Sequence, residues 1–106
     1  MNFPKPIAAY LSAEGTDAEA FARCFAEDAI VLDEGRTYRG LTAIKQWKAD
    51  ARKKYQYAME PLACVREGGK TIVTNRLTGN FPGSPVELRF VFGLDGDKIV
   101  SLEIHL

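Results

Sequence analysis

The chain has 106 residues, enough to bury roughly 65% of the surface that its unfolded form exposes, so one core and a single domain spanning 1–106 are expected. Lysine plus arginine equals aspartate plus glutamate at 14 each, a balance that leaves no net field drawing nucleic acid, anionic lipid or a strongly charged substrate. Cys24 and Cys64 form no Cys-x-x-Cys pair, Met1 to Pro6 opens no signal peptide, and no run reaches membrane-spanning length; a reduced, cytoplasmic protein with no membrane contact is expected.

In chain order, Pro4 and Pro6 suit the entry of a helix, and Ile7, Tyr10 and Leu11 behind them keep an i, i+3, i+4 stripe, which predicts a helix over about 5–13. Thr16 and Glu19 have capping-box spacing. Ala18, Phe21, Ala22 and Phe25 then recur at i, i+3, i+4, i+7, predicting a second helix that ends near Glu27. Ala29 to Leu32 reads as a short strand, and Asp33-Glu34-Gly35-Arg36-Thr37 as a loop. After Gly40, Ile44, Trp47, Ala51 and Tyr55 keep one face of a third helix. Lys45, Lys48, Arg52, Lys53 and Lys54 fill much of the rest and read as a solvated face, and its lack of interleaved aromatics argues against nucleic acid.

From Gln56 the period changes to two. Turn signals at Glu67-Gly68-Gly69, Asn80 to Pro85 and Asp95-Gly96-Asp97 divide four strands near 57–66, 70–79, 86–94 and 98–106. Their short loops require antiparallel pairing, and helices followed by a meander make an α+β domain. Leu88, Phe90 and Phe92, with Leu102, Ile104 and Leu106, are expected to face the helices. Glu87, Arg89, Val91, Ser101, Glu103 and His105 take the other face, which is either solvated or a dimer interface.

The sequence lacks phosphate loops, dinucleotide fingerprints, nucleophile elbows and His-Glu-x-x-His, and its single histidine, His105, leaves no triad or multi-histidine metal site; neither cofactor nor metal is expected. What remains are polar groups in apolar surroundings. Asp33 ends a short apolar strand, where desolvation at a cavity rim would fit a carboxylate for general-base work; the alternative is a loop cap or a partner of Arg36 or Arg39. Tyr10, on a core-facing stripe, either stabilises an oxyanion or is a bonded core phenol. Phe25, Trp47 and Tyr55 read as packing residues, some of which line any pocket, and Asn75, alternating with Val73 and Leu77, either points inward or serves a turn or interface.

The stretches Phe25-Ala26-Glu27-Asp28-Ala29-Ile30-Val31-Leu32-Asp33 and Tyr38 to Trp47, continued by Gly79-Asn80-Phe81-Pro82-Gly83 and Asp97 to Leu102, resemble the SnoaL-like branch of the nuclear transport factor 2 superfamily over nearly the whole chain. The resemblance implies a cone: three helices closing one side of a curved antiparallel sheet around an apolar pocket, with dimerisation through the sheet's outer face. It spans polyketide cyclases, ketosteroid isomerases, dehydratases, epoxide hydrolases and noncatalytic binding modules, so fold does not give function. Asp33 matches the base of the ketosteroid isomerases. Tyr10 matches their oxyanion tyrosine when one gap is allowed between the first two helices, and their second, acidic donor falls at Leu88, which cannot donate. Two readings follow: a cofactor-independent isomerase or cyclase acting by proton abstraction on a small apolar carbonyl compound, with Asp33 and Tyr10 catalytic, or a noncatalytic module that binds a small apolar molecule or dimerises. Phe25, Trp47, Tyr55, Asn75, Leu88, Phe90, Phe92, Leu102 and Ile104 are the expected pocket residues.

Overall fold

Helix α1 (Lys5–Ala13) begins where the sequence places it: Pro4 is its N-cap, and the Pro4 carbonyl accepts from the Ile7 and Ala8 amides at 3.0 and 2.9 Å. A computed structural model of the chain describes residues 2–14 and 18–106. Thr16 of the expected capping box lies outside those residues. Helix α2 (Ala18–Ala22) is shorter than its periodicity predicts, because Phe25 already belongs to strand β1 (Phe25–Asp33). Phe25 satisfies both periods, and its ladder position opposite Ile99, with the Ile99 amide bonding the Cys24 carbonyl at 2.9 Å, decides for the strand.

The expected loop after Asp33 is a hairpin instead. Glu34 and Gly35 take positive φ and return the chain into β2 (Arg36–Arg39), which pairs back on β1. Gly40, at φ 86, then starts α3 (Leu41–Lys54), which follows this first hairpin. Strands β3 (Tyr57–Glu67), β4 (Lys70–Gly79), β5 (Val86–Asp95) and β6 (Lys98–His105) form the meander near the predicted boundaries.

The six strands lie in the order β2-β1-β6-β5-β4-β3. Every pairing is antiparallel except β1 with β6, which is parallel; the hairpin argument never governed this pair, because α3 and four strands intervene. Register shifts in β1, near Leu62 and near Gly93 bend the sheet. Its hollow side carries the core: Ile7, Tyr10, Phe21, Val31, Ile44, Val73, Asn75, Phe92, Ile99 and Leu102 are fully buried. Leu106, expected among the inward residues, lies beyond β6 and is 86% exposed.

Candidate functional site

Along β1 the inward residues are Ala29, Val31 and then Asp33, which brings a half-buried carboxylate to the end of an apolar row. Its partner is neither Arg36 nor Arg39: Asp33 Oδ2 accepts from the indole N–H of Trp47 at 3.0 Å. Trp47 is buried on α3 and its ring packs 6.0 Å from Tyr38 and 6.2 Å from Phe21, so the donor is itself held in place. Among the described residues no hydrogen bond engages Oδ1.

Tyr10 is sealed among rings. Its centroid lies 5.2 Å from Phe21, 5.3 Å from Phe92, 6.1 Å from Phe25 and 6.3 Å from Phe90, mostly edge to face, the arrangement that ring quadrupoles favour. Its hydroxyl has no hydrogen-bond partner among the described residues. Burial pushes the phenol well above its ordinary pKa, and the negative charges of Glu14 and Asp33 push the same way, so Tyr10 stays a neutral O–H donor.

Asn75 on β4 is fully buried with both amide atoms unpartnered. Across the ladder it faces Pro61 on β3 and Leu88 on β5, one inward rung from the Val73–Phe90 pair over which the Tyr10 ring sits. Phe25, Trp47, Phe90, Phe92 and Leu102 are core residues on the same hollow side, and Leu88 and Ile104 pack partly buried against them. Tyr55 departs from its predicted place. It is the extended residue that ends α3, and its ring packs on Phe81, 5.9 Å away, outside this core.

A second group was missed. Glu14, the residue ending α1, keeps a side chain only 7% exposed, and its Oε1 accepts from Arg52 Nη2 at 2.8 Å, Lys48 Nζ at 3.0 Å and the Tyr57 hydroxyl at 3.0 Å. Lys48 also donates to Oε2 at 3.1 Å, and its ammonium lies 4.8 Å from the Trp47 ring centroid and 5.0 Å from that of Phe21. Lys48 and Arg52 therefore do not belong to the solvated face. They border the Ile44–Trp47 stripe at i, i+4, and their long stems carry the charges under the helix to Glu14. The available signal was Glu14 itself, an acid at i+4 from Tyr10 and i+7 from Ile7 on an apolar stripe. Lys45 does stay at the surface, bonded to Glu19 at 2.6 Å with both side chains substantially exposed.

Glu14→Gln would leave two cations without their carboxylate in a mostly buried site, and a loss of about 3 kcal/mol in urea unfolding is expected. The double variant with Lys48→Met should lose less than Glu14→Gln alone, because the uncompensated ammonium is gone.

Alkaline pH should also destabilise the protein. Burial raises the folded pKa of Tyr10 and Tyr57 above 10.0 and that of Cys24 above 9.0. The unfolded chain then sheds these protons first, so stability present below about pH 9 falls as pH rises. Lys48 acts oppositely: burial lowers its folded pKa below 10.5, and its contribution grows with pH up to that value. Three groups against one predict a urea midpoint that drops between pH 9 and 11, and a rising midpoint would contradict this balance.

Two surface hollows lie elsewhere. One of about 580 Å³ runs between α1, α2 and the β5–β6 turn, and one of about 440 Å³ lies beside Phe25 and Leu41. Neither is lined by Asp33, Tyr10 or Asn75. Among the described residues no cluster of three or more His, Cys, Asp or Glu side chains could hold a metal ion, and no helix is long and apolar enough to cross a membrane.

The family model described as SnoaL-like domain matches residues 7–102. A candidate polyketide cyclase from Sinorhizobium meliloti is 38% identical, with a TM-score of 0.92 over 97% of this chain and 95% of that one. A protein with a ketosteroid isomerase-like fold from Catenulispora acidiphila, solved with trimethylamine, is similar at 22% identity and TM-score 0.84 over 99% and 87%. A cystatin-fold protein from Novosphingobium aromaticivorans is 17% identical, with a TM-score of 0.76 over 95% of each chain. These last two share the fold alone. No curated protein matches the sequence.

Proposed function

This chain belongs to the SnoaL-like domain family, and from that premise we propose that it is a cofactor-independent isomerase or cyclase that removes a proton next to the carbonyl of a small, largely apolar compound. One observation carries the reading: Asp33 stands on the hollow face with Oδ2 held by Trp47 and Oδ1 unbonded among the described residues, within electrostatic reach of a buried, unpartnered Tyr10 hydroxyl. Asp33 takes the α-proton, the C–H electron pair moves into the carbonyl, and Tyr10 donates to the oxygen that gains the charge. Asp33 returns the proton to another carbon in an isomerisation; in a cyclisation the enolate carbon attacks a second carbonyl, whose C=O electron pair moves onto its oxygen, and that alkoxide takes the proton back from Asp33. Protons and electrons balance within the substrate and Asp33. The candidate polyketide cyclase at 38% identity is consistent with such enolate chemistry. The test is turnover of small β,γ-unsaturated ketones to their conjugated isomers, read by ultraviolet absorbance in the native protein and in Asp33→Asn.

A second reading, a noncatalytic ligand-binding module, is favoured by the packing. Four rings pack around Tyr10 at 5.2 to 6.3 Å and leave it fully buried, and Leu88 supplies no donor. Saturable binding of small ketones without any turnover would select it.

A further inference from the structure

Among the described residues the Asn75 side chain makes no hydrogen bond that a leucine would lose. The β3–β4 ladder shifts register between Pro61 and Ala63, beside it, where a structural amide would bond loosened backbone, yet among the described residues both amide atoms of Asn75 are unbonded. Its ladder neighbours Pro61 and Leu88 have no polar side-chain atoms. Assigning the amide in either orientation changes nothing, since an acceptor and two donor hydrogens are free both ways. A buried polar group left unsatisfied is costly, and Asn75 pays that cost twice.

We propose that Asn75 sets the substrate class: the ligand carries an O–H or N–H donor beside its carbonyl oxygen, as a hydroxycarbonyl or a lactam does, and pairs both groups with the Asn75 amide. The inference rests on the reading above in placing the ligand on the hollow face beside Tyr10, whose ring lies over Phe90, one rung away. It narrows that reading. A ketone that merely accepts would satisfy the amide N–H and leave Oδ1 desolvated and unpaired, which is the situation in which sites reject analogues lacking a group. The donor beside the carbonyl removes that penalty. A one-donor, one-acceptor pairing also fixes the ligand's rotation about its carbonyl, which a single hydrogen bond to Tyr10 does not.

The experiment compares three probes of similar size on the native protein: δ-valerolactam, which has donor and acceptor, and N-methyl-δ-valerolactam and cyclohexanone, which only accept. Trp47, the chain's single tryptophan, reports binding by fluorescence. The lactam should bind roughly tenfold or more tightly than either acceptor-only probe. In Asn75→Leu the ratio should collapse toward one, with cyclohexanone bound as well as before or better. Equal binding of the three by the native protein, no binding of any, or a lactam preference that survives in Asn75→Leu overturns the proposal. The comparison on the native protein needs no variant, so a leucine protein that fails to fold leaves the test standing. Failure of the catalytic reading looks different. A protein that prefers the lactam but removes no α-proton loses the chemistry and keeps this specificity, and one that turns over ketones while binding all three probes equally does the reverse.

Discussion

Asp33→Asn is expected to slow conversion of a β,γ-unsaturated ketone by about 100- to 10 000-fold, the usual contribution of a positioned general base, while leaving the fold intact. The substitution isolates basicity from shape. An asparagine oxygen still accepts the Trp47 indole N–H at the place where Asp33 Oδ2 does so, at 3.0 Å, so the indole keeps its partner and the side chain its orientation. What disappears is the carboxylate that the proposed reaction requires to receive the proton. Thermal unfolding should shift little, because Asp33 is half-buried and its hydrogen bond survives. A variant that keeps its melting temperature and its rate would remove Asp33 from the chemistry. One that loses both would show a structural carboxylate.

Tyr10→Phe should move rate and stability in opposite directions. The hydroxyl is fully buried without a partner among the described residues, and an orphaned polar group costs on the order of 1–3 kcal/mol, so its removal should stabilise the protein by about 1 kcal/mol after allowance for the small void left behind. The ring contacts with Phe21, Phe25, Phe90 and Phe92 persist in phenylalanine. The rate should fall on the order of 100-fold or more, since the variant loses the donor to the developing oxyanion. The raised pKa of Tyr10 keeps it a donor across the physiological range, so this difference should hold from neutral pH to pH 9. A structural tyrosine with a bond outside the described residues would instead lose stability when the hydroxyl is removed.

Much of this fold was legible because period and punctuation agree along the second half of the chain. Gly68 and Gly69, both at positive φ, close the β3–β4 hairpin at the spot that the glycine pair marks, and Leu88, Phe90 and Phe92 take the hollow side by alternation alone. The first half misled where one residue fits two periods. Phe25 continues the stripe of Phe21 and Ala22, and only the long-range pairing with Ile99 turns it into strand. The site was partly legible for the same reason. Asp33 and Tyr10 were legible as inward residues by their places on apolar rows, and Asn75 by alternation. Trp47 as the partner of Asp33 was not, because the contact spans 14 residues and depends on how α3 lies over β1, whereas Arg36 and Arg39 were near in sequence. From the sequence Lys48 and Arg52 read as solvated, because charge usually means surface. Their burial follows from Glu14, which comes from another helix, and a pattern confined to one element does not reveal it.

The most direct test of proton abstraction on this face is solvent deuterium exchange at the α-carbon of a small ketone, followed by proton NMR with native protein, Asp33→Asn and Tyr10→Phe. It needs no knowledge of the product. The native protein should exchange the α-protons well above the buffer rate, Asp33→Asn should fall to near that rate, and Tyr10→Phe should lie between. Exchange at the buffer rate with native protein, or undiminished exchange in Asp33→Asn, would contradict the assignment of Asp33 as the base.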